Sequence, residues 1–123
     1  MNEKKYYFCN KCGNLVQGDK GVSDECCGKR MNQIFGGVDG NPSKHTPIVS
    51  ITNGKLVVDV GKEGHPMEKD HLIEWVYLKT DRGRYIKYLD VNENPSVTFP
   101  ITNETPLEVS AFCNKHGLWH AEM

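Results

Sequence analysis

Five cysteines and five histidines stand in 123 residues, and their spacing is that of metal ligands rather than of a disulfide framework. Cys9-Asn10-Lys11-Cys12 is a CxxC, in which two intervening residues let one turn aim both sulfurs at a single ion. Cys26-Cys27 follows. Adjacent cysteines in an extended chain point opposite ways, so both reach one ion only where the backbone bends, and Gly28 eases such a bend. Four thiolates suit iron or zinc, the first redox-active and the second structural, and spacing does not choose between them. The bland alternative is free thiols or one disulfide.

A second group is richer in imidazole. Cys113-Asn114-Lys115-His116 is a CxxH at the end of a β-rich run, His65 and His71 flank the loop formed by residues 66–70, and His45 opens the first strand of a hairpin. All four histidines and Cys113 therefore fall at strand ends or in loops, where a rigid β scaffold presents them together. One thiolate with several imidazoles suits iron, copper or zinc. A lone histidine at a strand end is usually a solvated residue; four around one CxxH make a candidate centre. His120 has no evident partner in the sequence and reads as a surface histidine.

The elements that must position these residues divide in two. Residues 1–36 hold four of the five cysteines and few apolar side chains, too few to offset chain entropy without a metal to tie them together. Gly36-Gly37 and Gly40-Asn41-Pro42 mark the boundary with residues 37–123. There the pattern is β: residues 47–52 and 55–60 flank Asn53-Gly54, a type I′ hairpin signal. Residues 72–80 turn through Asp81-Arg82-Gly83 into 84–89, and runs at 96–101 and 107–113 follow. In the last, Leu107, Val109, Ala111 and Cys113 share one face and Glu108, Ser110 and Phe112 the other. No long helix is expected, only a turn near residues 67–70. Roughly seven short strands predict a mainly β fold, an immunoglobulin-like β-sandwich, with a small barrel as the alternative.

A formal net charge of −1 offers no general reason for nucleic-acid binding, and no stretch is apolar enough to span a bilayer. The charged start lacks an apolar segment behind it, so the expected location is cytoplasmic. Trp75 reads as core or as a wall of the metal site, Trp119 as packing beside the CxxH loop, and the basic stretch 79–87 as a solvated hairpin.

Taken together these residues resemble the desulfoferrodoxins, the two-iron members of the superoxide reductase family, along nearly the whole chain. Cys9-x-x-Cys12 with Cys26-Cys27-Gly28 looks like the family's desulforedoxin-like amino-terminal domain. Lys44-His45-Thr46-Pro47, His65-Pro66-Met67-Glu68 with His71 and Ile73-Glu74-Trp75, and Cys113-Asn114-x-His116-Gly117-Leu118-Trp119 look like its KHxP, HPM-to-IEW and CNxHGLW segments. Each is modest alone; four in order are specific. The resemblance implies a tetrathiolate iron in the small domain. It also implies a catalytic iron with His45, His65, His71 and His116 in a plane and Cys113 axial, set in an immunoglobulin-like sandwich. It further implies one-electron reduction of superoxide to hydrogen peroxide, a rubredoxin-like electron donor, a homodimer, and a role for Lys44 in attracting the anion and assisting protonation. Ser43 departs from the family: many members carry a glutamate there that caps the oxidised iron, so the sixth ligand of that state is left open. Two rivals are a pure electron carrier working through its four cysteines and a zinc-stabilised binding module.

Overall fold

Short runs rich in Val, Ile, Tyr, Phe and Trp, many closed by Gly, Asn or Pro, become antiparallel strands in the computed structural model, which describes residues 5–9, 11–17, 25–26, 28–35, 42–61 and 65–121. In the first third, β1 (Lys5–Phe8), β2 (Leu15–Gln17) and β5 (Asn32–Phe35) form a sheet in the order β2-β1-β5. There β3 (Glu25–Cys26) pairs with β4 (Lys29–Arg30). One helical turn, α1 (Pro42–His45), leads into β6 (Pro47–Thr52), β7 (Lys55–Val60), β8 (Ile73–Thr80), β9 (Gly83–Tyr88), β10 (Ser96–Pro100), β11 (Pro106–Cys113) and β12 (Gly117–His120). His45 thus ends a helical turn just before β6; it does not open the strand. The expected boundary near residues 36–37 lies outside the described residues.

These last seven strands form two sheets, β10-β7-β6 and β12-β11-β8-β9. Leu56, Val58 and Val60 on β7 and Val97 and Phe99 on β10 meet Ile73, Val76 and Leu78 on β8 and Val109, Ala111 and Cys113 on β11, in one continuous buried core. That is the predicted sandwich, not a barrel. The first hairpin closes as its sequence dictates: Asn53 and Gly54 both hold positive φ (52° and 73°), and Thr52 pairs with Lys55. The tight 81–82 turn keeps β9 paired to β8, so the fourth strand lies in the four-stranded sheet. In the constant-type immunoglobulin arrangement it joins the other sheet.

Two features depart from simple alternation. On β8, Ile73 faces the sandwich core while Trp75 faces out, although two residues apart they should share a face. The register explains it: Phe112 pairs with Trp75 and Cys113 with Ile73, so Glu74 is the extra residue of a β-bulge. The outer face of this sheet is also covered. Tyr6 and Phe8 of β1 pack with Trp75, Tyr77 and Leu118 in a second buried cluster, flanked by Leu15, Ile34, Ile86 and Phe112. Phe8, Trp75 and Phe112 stack in sequence, with centroids 4.5 and 5.3 Å apart. Trp75 is therefore core, in contact with the amino-terminal sheet. Ser110 is fully buried, and Leu107, which by alternation shares a face with buried Val109, is 53% exposed at the strand's start.

Candidate metal centre

Each of the imidazole-bearing segments arrives from a different element at one end of the sandwich. His45 ends α1, His65 and His71 bracket the stretch between β7 and β8, Cys113 ends β11, and His116 lies in the turn to β12. Donor atoms of His45, His65, His71 and Cys113 all lie within 4.8 Å of one another. His116 completes the group: its Nδ1 is 3.0 Å from His45 Nε2 and 3.8 Å from Cys113 Sγ. Ring centroids run His45–His65 4.6 Å, His65–His71 4.8 Å, His71–His116 5.0 Å and His116–His45 4.8 Å, each pair steeply inclined. The His45–His71 separation is longer, 6.2 Å. The four imidazoles thus form a four-sided ring with His45 and His71 at opposite corners, and the sulfur joins the same group.

The protonation pattern suits a cation. His65 Nδ1–H donates to the carbonyl of Pro66 at 2.6 Å; a carbonyl only accepts, so the Nε2 lone pair is left free. The Nε2 atoms of His65 and His71 are buried and have no hydrogen-bond partner among the described residues. Such orphaned buried nitrogens are costly unless a ligand answers them, and a metal ion would. Burial, chiefly, lowers the His65 pKa to about 4, with the other three imidazoles adding to the effect and the Pro66 hydrogen bond opposing it. His71 is lowered too, first by burial and then by His116 and Lys115. Both rings are thereby neutral and ligand-ready at pH 7. Burial raises the Cys113 thiol, while backbone N–H groups of Lys115 and His116 hydrogen-bond to it and work the other way. Those amides would favour the thiolate once a cation is present.

Supporting contacts tie the ligand segments together. Asn114 binds both sides of His71: its N–H donates to the Leu72 carbonyl (3.2 Å), its Oδ1 accepts from Leu72 N–H (3.1 Å), and its Nδ2 donates to the Asp70 carbonyl (3.3 Å). Trp119 packs beside the CxxH loop as expected, donating from Nε1 to the His116 carbonyl at 3.0 Å and stacking on His45 at 5.0 Å. The Met67 sulfur accepts from Ile73 N–H at 3.4 Å. Asn114 escaped sequence reasoning because a backbone clamp has no signature apart from its partners. His120 stands outside the ring of donors but has partners, Tyr6 Oη at 2.9 Å and Ser110 Oγ at 2.7 Å. Lys44 is exposed, directly before buried His45.

The four-cysteine cluster is described only in part. Cys9 is buried and Cys12 exposed at the two ends of a tight loop in which Gly13 N–H donates to the Cys9 carbonyl (2.8 Å). Arg84 Nη2 lies 3.7 Å from Cys12 Sγ. Cys26 pairs with Lys29 across a turn in which Gly28 has φ +75°, the bend anticipated there. Cys27 and the Cys26 side chain lie outside the described residues.

Fold and donor set together define a β-sandwich protein in which imidazoles and one cysteine sulfur converge at one end, a donor set whose chemistry fits a metal ion. The family model described as Desulfoferrodoxin matches residues 38–122. The desulfoferrodoxin of Syntrophotalea carbinolica is 40% identical over 99% of both chains. That of Nitratidesulfovibrio vulgaris is 37% identical over 98% of both. The solved superoxide reductase of Treponema pallidum superposes with a TM-score of 0.77 at 35% identity, covering 95% of this chain and 98% of that one. This chain belongs to the desulfoferrodoxin family.

Proposed function

We propose that this protein is a superoxide reductase, acting at an iron held by His45, His65, His71, His116 and Cys113. The carrying observation is the convergence of those five donors, two of them buried nitrogens without a hydrogen-bond partner among the described residues. One superoxide, one electron and two protons give one hydrogen peroxide. Iron, when bound, supplies the electron and an electrophilic point for the anionic oxygen species. The chain supplies the rest. Buried His65, held neutral at pH 7, adds no charge of its own, and the buried sulfur is an electron-rich donor. Lys44, exposed and directly before His45, supplies a cation that raises the local concentration of a small anion.

Finer assignments follow the same reading. Cys9, Cys12, Cys26 and Cys27 hold a second iron in four thiolates within a desulforedoxin-like domain of residues 1–36; residues 37–123 form the catalytic domain. A rubredoxin-like protein returns the electron, and the chain pairs as a homodimer. Two thiolate-bearing iron sites require a reducing compartment, which supports a cytoplasmic location; no helix among the described residues is long and apolar enough to cross a membrane.

The test is stoichiometric. Under a steady superoxide flux with reduced rubredoxin supplied, peroxide should appear one for one with superoxide consumed and without dioxygen release. Dioxygen released in step with peroxide would identify a dismutase and reject the proposal.

A further inference from the structure

We propose that Gly61 is a positioning residue of the metal centre, holding the Lys44-His45 backbone where His45 can join the other donors; this rests on the metal-site reading above. Gly61 follows β7 immediately and is buried, with φ +82°. Its N–H donates to the Thr46 carbonyl at 3.1 Å, just beyond the Pro47–Val60 pair that ends the β6–β7 ladder. A Cβ built on it would lie 2.2 Å from the Lys44 carbonyl oxygen, 2.5 Å from its carbon and 2.8 Å from its Cα. These are backbone atoms and cannot rotate away. Any side chain at position 61 therefore pushes the end of α1 outward by roughly an ångström before ordinary van der Waals separation is restored. Ligand placement tolerates about half that. His45 has little slack: its Nε2 is 3.0 Å from His116 Nδ1, and its ring stacks on Trp119. Gly61 also precedes His65 by only four residues, so the close approach to Lys44 links two ligand-bearing segments.

Positive φ alone does not make a glycine part of a site, and this chain contains the control. Gly54 has φ +73°, yet nothing lies within 4 Å of where its Cβ would be. Gly54→Ala carries the backbone strain without the contact. Gly61→Ala carries both.

The full-length, iron-loaded wild type, Gly61→Ala and Gly54→Ala proteins are compared by chelator competition at the His/Cys site and by the visible thiolate-to-iron charge-transfer band. Gly61→Ala should bind iron there about tenfold or more weakly, with the band displaced or weakened. Gly54→Ala should match wild type in both. In a His45→Ala background, Gly61→Ala should cause no further loss of affinity, since its effect runs through His45. Wild-type affinity and band in Gly61→Ala would overturn the proposal. So would additive losses in the double variant, or a metal-free Gly61→Ala protein that fails to fold where Gly54→Ala folds, which would make Gly61 a residue of the fold alone. A wild-type protein lacking the band would instead remove the metal-site reading, and this inference with it.

Discussion

Lys44 and His45 are neighbours with opposite surroundings: the lysine is exposed and the histidine is 2% exposed. A one-turn helix ending against Gly61 makes that contrast, turning one side chain inward and leaving the next free. An exposed ammonium beside a metal centre acts at long range on an anion, and its effect is screened over about a Debye length. Lys44→Ala should slow the second-order reaction with superoxide several-fold at low ionic strength and flatten its salt dependence. An unchanged rate and slope in pulse-radiolysis traces would remove Lys44 from anion capture. At this scale the candidate donors were legible, CxxH and the paired histidines by type and spacing and the Lys44-His45-Thr46-Pro47 segment by its family resemblance, and the structure gathers His45, His65, His71, Cys113 and His116 together. Gly61 and Asn114 were not legible, because their roles are contacts with distant backbone, and a glycine's φ or an amide's partner leaves no periodic trace.

Among the elements, the four-stranded sheet is unusual in being buried on both faces. Its inner face meets the β6–β7–β10 sheet, and its outer face receives Tyr6 and Phe8 from the amino-terminal sheet around Trp75. Trp75→Ala should cost about 3–5 kcal/mol, as expected for truncating a buried aromatic. It should leave the charge-transfer band in place, because Cys113 faces the other cluster. Denaturant unfolding checks the first and a visible spectrum the second; a loss under about 1 kcal/mol would mean the ring stack contributes little. Hairpins were the most legible elements, since Asn53-Gly54 and Asp81-Arg82-Gly83 encode their turns locally. The second buried face was not, because Ser110 and Phe112 look like a solvent face until a separate sheet covers them.

For the whole molecule, stability without metal should depend on pH through the centre. His65 has a folded pKa of about 4, below the ordinary imidazole value of about 6.5. The folded metal-free protein therefore binds fewer protons than the unfolded chain between those values. The resulting stability is fully present above about pH 6.5 and is lost as pH falls through 4. Cys113 is shifted upward, so its contribution holds in neutral solution and is lost as pH rises past the ordinary thiol range. Thermal melts of metal-free protein should accordingly fall between pH 6.5 and 4, and His65→Gln should reduce that slope. A slope unaltered by the substitution would place the acid sensitivity elsewhere. The sandwich class was legible from strand count and turn spacing. The sheet to which β9 belongs followed from its short turn to β8, but the joining of the amino-terminal third to the sandwich did not, because apolar residues near Cys9 and near Trp75 reveal their kinship only in three dimensions.

Glu74, the surplus residue of the β8 bulge, has a consequence for length. It switches the parity of the strand, so that everything upstream, including Ile73 and the approach to His71, is counted from the opposite side. The number of residues between His71 and Trp75 should therefore tolerate no change. Anyone transplanting this centre into another sandwich must carry the odd residue along, or the donors will arrive facing away from each other.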